Sequence, residues 1–401
     1  MLPTFATAPI TSNSSESNCA VTRETVATSI SALAHSAVSR DRKAGLPDDE
    51  VQFLRTSGLL PLVIPKAYGG LGATWVEALK IVQELAKAEG SIGQLYSNQL
   101  ILSILPVAAG TTTQANYYCR ATAQENLFWG NAFNTRDTRL TIEPNGEQYR
   151  VNGIKSFGTG VALADMRVFS AVQNGVEFPV VFVIPSDREG VIYNHDWDNM
   201  GQRRTASGSL TFHNVLVRQD EIIPPPESAF STLLFVVNQL SKTHVYLGIA
   251  EGAFTAAQHY TQTQTRPWLT SGVDKASQDP YILRHYGELW TQLQAANALA
   301  EQATQIIQAA WEKGEDLTHQ ERGEAAIPVY AAKTFITKIG LEITNRMFEL
   351  MGSRATAATY GFDRYWRDLR TFTLHDPVDY KLRDIGNWVL NGELPMPSQY
   401  S

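Results

Sequence analysis

The sequence predicts a mainly α-helical protein with a small antiparallel β domain set between two helical regions. Three observations carry this reading. Apolar residues recur at three- and four-residue spacing through 21–126, the period shifts to alternation across 127–224, and helical spacing returns over 225–401. At roughly 100–200 residues per domain, a chain of 401 residues has room for such an arrangement. An apolar fraction of 43% suits a globular protein with a large core.

The elements follow in order. Residues 1–20, "MLPTFATAPITSNSSESNCA", are rich in Ser and Asn and read as a disordered tail. The stretch has no Lys or Arg, which fits neither a secretory signal nor a transit peptide. "TVATSISALAHSAVSRDR" and "WVEALKIVQELAKAEG" read as amphipathic helices, the second stopped by Gly90. Between them, "LLPLVIPKAYGGLG" is a short apolar run closing in a glycine-rich turn. In "EQYRVNGIKSF" (147–157) the pair Asn152-Gly153 follows an alternating run and signals a hairpin. "MRVFSAV", "FPVVFVIP" and "GSLTFHNVLV" supply further strands. Two long helical stretches, "YGELWTQLQAANALAEQATQIIQAAWEKG" and "AAIPVYAAKTFITKIGLEITNRMFELMG", suit a bundle, the latter ending at Gly352.

Composition excludes several functions. A net charge of −7 with no basic block argues against a nucleic-acid surface. The longest apolar runs, such as "LLPLVIP" (59–65), are too short to cross a bilayer. Cys19 and Cys119 are the only cysteines, so a disulfide framework or cysteine metal site is not expected, and a reducing cytoplasm is the simplest setting. There is no G-x-x-x-x-G-K-[ST], H-E-x-x-H or G-x-S-x-G. "YGGLG" has the wrong spacing for a dinucleotide fingerprint, so reducing equivalents for any redox chemistry must arrive from elsewhere.

"IPKAYGGLG" (64–72), "FWGNAF" (128–133), "IKSFGTG" (154–160) and "RDLRTFTLHDP" (367–377) occur in an order and spacing that resemble the acyl-CoA dehydrogenase superfamily over nearly the whole chain after residue 21. "DWDNMGQRRTASGS", "TRPW" (265–268), "GFDRYWRDLRTFTLHDPV" and "LNGELP" (390–395) narrow the likeness to its flavin-dependent monooxygenase branch, which holds the dibenzothiophene and sulfur-acquisition oxygenases. The resemblance implies an N-terminal helical domain, an antiparallel β-barrel-like domain and a C-terminal four-helix bundle. It also implies a homotetramer, arranged as a dimer of dimers. The implied reaction uses reduced FMN, supplied by a separate flavin reductase, and O2 to oxygenate a small organosulfur compound. The alternative is an FAD-dependent acyl-CoA dehydrogenase; a helical scaffold without flavin is a third reading.

The same resemblance assigns residues. Asn131 and Thr159 would hydrogen-bond the flavin edge and Phe157 would pack on its face, as a ring with a polar edge and an apolar face requires. By residue type alone, Asn131 serves equally as a turn cap and Phe157 as a core ring. Trp197 is either a lid over the flavin pocket or an anchor for its own polar loop. Arg266 and Arg354, each beside a helix break, match positions that bind the flavin phosphate partly across a subunit interface; otherwise they are surface ion pairs.

His375 and Asp376 occupy the segment where the dehydrogenases carry a catalytic glutamate. Asp376 takes the glutamate's slot, is one methylene shorter and precedes Pro377, which makes it a poor copy of that base. His375 suits an oxygenase that must manage one proton near neutral pH, although a lone histidine is also an ordinary structural hydrogen-bonder. His213 and His259 read as plain strand and helix residues. Gln94 and Asn98 stand where the dibenzothiophene oxygenases have a histidine and a tyrosine. These amides do not titrate and predict a more polar pocket for a smaller substrate.

Overall fold

The computed structural model describes residues 20–401. The tail expected over 1–20 therefore lies outside the described residues except for Ala20, which opens the first helix. Five helices come first: α1 (Ala20–Lys43), α2 (Asp48–Thr56), α3 (Trp75–Ala88), α4 (Gly90–Ala108) and α5 (Thr112–Glu125). Thr74 and Glu77 form a capping box that starts α3, and Thr111 and Gln114 do the same for α5. Gly90 is not a helix stop but the first residue of α4. The break is made by Glu89, whose extended backbone ends α3 and whose carboxylate accepts from the Ser91 and Ile92 amides.

Eight strands follow: β1 (Trp129–Ala132), β2 (Leu140–Asn145), β3 (Gln148–Lys155), β4 (Met166–Ala171), β5 (Val180–Pro185), β6 (Val191–Tyr193), β7 (Leu210–Arg218) and β8 (Ile222–Ile223). They form two sheets, β1-β4-β5-β8 and β2-β3-β7-β6. Buried side chains from both sheets face each other, with Phe169 on β4 meeting Phe212 on β7 edge to face at 4.9 Å.

Two details differ from the sequence expectation. β1 pairs with β4 in parallel, because the β2–β3 hairpin in the other sheet intervenes and acts as the crossover. The β2–β3 turn falls after Asn145, at Gly146 and Glu147, rather than at Asn152-Gly153. Asn152-Gly153 lies inside β3 at a shift in its register with β7. Gly153 has φ +121°, and a Cβ there would sit 2.0 Å from the Arg139 carbonyl oxygen, so the glycine serves a bulge.

The remaining helices are α6 (Ala229–Thr263), α7 (Pro280–Glu312), α8 (His319–Met351), α9 (Asp363–Thr373) and α10 (Val378–Asn391). Asp279 with Pro280 starts α7, a Thr318–Glu321 capping box starts α8, and Gly352 follows its end. The helices on either side of the β domain share one apolar core, with Leu79, Val82 and Leu85 of α3 packed among Val237 and Leu240 of α6 and Ile336 of α8. Gly248 and Gly252, one turn apart on α6, allow the close crossing. A Cβ at these positions would lie 2.3 Å from the Gln83 oxygen and 2.4 Å from the Lys87 oxygen of α3.

Candidate functional site

Asn131 lies on β1 where the strand meets the "IKSFGTG" segment. Its amide donates to the Thr159 carbonyl at 3.1 Å, and its Oδ1 accepts from Asn98 Nδ2 on α4 at 3.1 Å. The register of α4 against β1 is set one residue further on. Buried Gln99 donates to the Leu60 carbonyl at 3.0 Å and accepts from the Trp129 amide at 2.7 Å. Thr159 Oγ1 meets Ser207 Oγ at 2.8 Å, and Ser207 meets Thr205 Oγ1 at 2.7 Å. The amides of Gly158 and Gly160 bond the carbonyls of Gly208 and Thr205 at 2.8 and 2.9 Å, locking the two loops together.

That lock explains Phe157. It is a non-glycine residue at φ +61°, a conformation costing on the order of 1–3 kcal/mol. Its ring is 57% exposed and meets Trp197 edge to face at 6.3 Å. Trp197 is fixed by its indole N–H donating to the Gln202 carbonyl at 2.9 Å. Two aromatic rings thus flank a row of amides and hydroxyls. Gln94, one turn before Asn98 on the same face of α4, has a buried Oε1 with no hydrogen-bond partner among the described residues.

The Trp197 loop is held from behind by α9. The Gln202 amide donates to Asp368 Oδ1 at 2.6 Å, and Arg367 donates to the Met200 carbonyl at 2.7 Å. Burial, reinforced by Glu89, pushes the Asp368 carboxyl up to about 8. Arg204 in the same loop pairs with buried Glu50 of α2 at 2.9 Å. The Arg-Asp pair that opens "RDLRTFTLHDP" is therefore a support for this loop.

His375 sits between α9 and α10 and lines a cavity of about 610 Å³ with Arg136, Tyr380, Lys381 and Tyr400. Its Nδ1 is 2.9 Å from Asp376 Oδ1, and the same oxygen lies 2.6 Å from Lys333 Nζ of α8. Lys333 also bonds Gln239 of α6. Burial and the nearby Lys242 ammonium lower His375 to about 4, although a third of the side chain faces the cavity. Burial alone would raise Asp376, but His375 and the Lys333 ammonium hold it well below the ordinary carboxylate range. Lys242 itself is brought down to about 7 by burial and by Lys333.

The structure joins Asn98, Asn131 and Thr159 in one hydrogen-bonded patch, with Phe157 and Trp197 beside it and Gln94 one helical turn from Asn98. No hydrogen bond links His375 to that patch among the described residues. The two are tied indirectly. Ser97 of α4 meets Ser241 of α6 at 2.8 Å next to Lys242, and Arg136 leaves β1 to line the His375 cavity. Arg266 and Arg354 lie at the far ends of α6 and α8, where Arg354 donates to the Gln264 carbonyl. Both are exposed and neither has a carboxylate partner among the described residues. The single chain does not connect them to Asn131.

Sequence reasoning missed four residues. Thr205 and Ser207 complete the hydroxyl row, and the "RTAS" run in the quoted loop carried that signal. Lys242 and Lys333 are buried within long helices, and a fully buried lysine is itself a signal.

Family models describing the acyl-CoA dehydrogenase N-terminal and C-terminal domains match residues 18–126 and 240–380. A dibenzothiophene monooxygenase from Mycolicibacterium goodii is 43% identical over 90% of this chain and 91% of its own. A probable FMNH2-dependent monooxygenase, SfnC, from Pseudomonas putida is 41% identical over 92% of this chain and 94% of its own. The solved structure of methanesulfinate monooxygenase MsuC from Pseudomonas fluorescens superposes with a TM-score of 0.92 at 41% identity, covering 96% of this chain and all of that one. The chain belongs to the acyl-CoA dehydrogenase superfamily. Within it, the relatives place the chain in the FMN-dependent monooxygenase branch.

The residues present fit a flavin. The amide and hydroxyl row offers donors and acceptors to a ring edge, the unpartnered Gln94 Oε1 offers one more acceptor, and Phe157 with Trp197 supplies an apolar wall. The arginines at the ends of α6 and α8 are uncompensated cations suited to a phosphate.

Proposed function

We infer that this protein is the oxygenase component of a two-component monooxygenase. It takes reduced FMN from a separate flavin reductase and uses O2 to oxygenate a small organosulfur compound. The observation that carries this reading is the state of the dehydrogenase base position. Asp376 is buried with its Oδ1 2.6 Å from Lys333 Nζ, so it is not available to remove a proton from a thioester, while neighbouring His375 borders the cavity. When bound, reduced FMN supplies the two electrons with which one atom of O2 enters the substrate and the other leaves as water.

The chain's own residues have defined tasks. Asn131 and Thr159 orient the ring edge, and Phe157 and Trp197 cover a face and keep water out. His375 holds or moves the proton that oxygen activation requires. Gln94 and Asn98 make the pocket polar, which favours a small polar sulfur compound over a tricyclic thiophene. Arg266 and Arg354 bind the FMN phosphate of a neighbouring copy within a homotetramer. The exposed apolar residues Trp268, Leu269, Tyr281, Leu283 and Trp290, around and along the first part of α7, support such assembly. Sedimentation at micromolar concentration tests it, and a monomer overturns it. The setting is the cytoplasm, in keeping with Cys119 as a buried free thiol.

The test of the reaction uses purified protein, reduced FMN, 18O2 and a panel of sulfides, sulfoxides and sulfinates. Incorporation of one labelled oxygen into a sulfur product is expected. Absence of any labelled product across the panel overturns the reading.

A further inference from the structure

We propose that Lys333 and Asp376 are positioning residues that fix His375 as a neutral imidazole protonated on Nδ1, so that Nε2 is presented to the cavity as a hydrogen-bond acceptor. This deepens the monooxygenase reading, in which His375 handles the proton, and it assigns the direction in which that proton travels first.

The argument starts at one oxygen atom. Asp376 Oδ1 lies 2.6 Å from Lys333 Nζ and 2.9 Å from His375 Nδ1. An ammonium is a donor only, and an ionised carboxylate is an acceptor only. With Lys333 keeping the carboxylate ionised, the hydrogen between Asp376 and His375 must sit on Nδ1. The Asp376 side chain is buried at 6% exposure and Lys333 at 0%, so water does not compete for either partner. His375 Nε2 has no hydrogen-bond partner among the described residues, and the side chain borders the cavity. A neutral ring that carries its hydrogen on Nδ1 has its lone pair on Nε2.

Burial opposes protonation of the ring, and the positive charge of Lys242 on α6 and Lys333 on α8 acts in the same direction. Lys381 on α10 borders the same cavity and interacts with Asp376. Arg136 from the β1–β2 loop lines the same cavity, and the Tyr400 ring stands 5.9 Å from His375. Against these cations stand Asp376 and, further along the cavity wall, Asp384 and Glu393. Lys333 is placed to donate to Asp376 by its second bond, to Gln239 of α6. Two helices thus aim one ammonium at one carboxylate. An imidazole with a free Nε2 lone pair accepts a proton. It does not donate one until it has been protonated, so His375 begins its cycle as a base.

The experiment reads the ring directly and needs no flavin. Full-length protein labelled with 15N-histidine is examined by nitrogen–proton correlation NMR across pH 4–9, with His375→Gln assigning the signals. The expected result at pH 7 is a neutral His375 with a protonated Nδ1 and an unprotonated Nε2. In Lys333→Met the carboxylate loses its lysine partner, and the imidazolium becomes its best counter-ion. His375 should then titrate at least one pH unit higher than in the wild type. Lys333→Arg should restore the wild-type behaviour. Oxygenation at neutral pH should fall at least tenfold in Lys333→Met, with the KM for reduced FMN little changed. A wild-type ring protonated on Nε2, or a titration that does not move in Lys333→Met, overturns the proposal. If the tautomer is as expected but no substrate is oxygenated, the positioning stands and the monooxygenase reading fails.

Discussion

His375 and Asp376 are neighbours in sequence with opposite fates. The carboxylate is sealed between an ammonium and an imidazole, and the imidazole keeps a free edge toward the cavity. His375→Ala should therefore retain the fold and FMN binding and lose about 10²–10⁴-fold in oxygenation rate, the range for a positioned proton-transfer group. Steady-state turnover beside a flavin titration separates the two effects, and unchanged turnover would mean the ring only packs. Arg266→Ala and Arg354→Ala should act the other way round. Losing a charge-assisted hydrogen bond to phosphate costs about 1.5–3 kcal/mol, so FMN affinity should fall by roughly one to two orders of magnitude before turnover at saturation changes. Fluorescence titration with FMN measures it. At this scale the sequence motifs pointed to Asn131, Phe157, Thr159, Trp197 and His375 as candidates. They did not bring out Lys333, because what matters about it is a contact 43 positions away in sequence, and no local pattern records that.

Among the elements, the loop from β6 to β7 contributes most to the site's shape. It carries Trp197 at one end and the Thr205–Ser207 hydroxyls at the other, and α9 grips it in the middle. Gly201 is where the grip is tightest, since a Cβ there would come within 2.0 Å of the Arg367 carbonyl oxygen. Gly201→Ala should lift the loop from α9, lower stability by about 1–3 kcal/mol as overpacking does, and weaken FMN binding through Trp197. Thermal unfolding and flavin titration together check this; a variant with unchanged FMN affinity would separate the loop from the flavin. The strands show what alternation conveys and what it omits. The apolar pattern located β3, but two Asn-Gly pairs flank its run, at 145–146 and 152–153, and both look like turns. Only the close approach of the Arg139 carbonyl makes the second one a bulge. Similarly, Gly90 looked like a stop because the residue that breaks the helix, Glu89, does so through a buried cap that sequence spacing does not reveal.

Across the whole molecule, the α–β–α order was legible because each change of hydrophobic period is long and clear. The sharing of one core by the two helical regions was not, since periodicity says which face is buried and not against what. The α4–α9 contact buries two carboxyls, Glu89 and Asp368, both shifted upward mainly by desolvation. Asp368 has a folded value of about 8 against 3.8 for the ordinary group. The native state thus keeps a proton that the unfolded chain releases, and stability declines as pH rises between those two values. Asp368→Asn retains an acceptor for the Gln202 amide and removes the titration. It should melt a few degrees above the wild type at pH 8, with the gap closing toward pH 4. Calorimetry across that range decides it, and equal melting curves at pH 8 would show that Asp368 is not protonated in the native state.

The close crossing of α6 over α3 at Gly248 and Gly252 also bears on how the chain is made. The apolar face of α3 leaves the ribosome with its partner still unsynthesised, since α6 begins at Ala229. At translation rates of roughly 5–20 residues per second, the interval is on the order of ten seconds. During that time Leu79, Val82 and Leu85 can pack against the neighbouring N-terminal helices but not against Val237 and Leu240 of α6, and the β domain must form between two ends that have not yet met. The chain is in this sense committed to completing its core late, since the α3–α6 crossing can close only once α6 has been made.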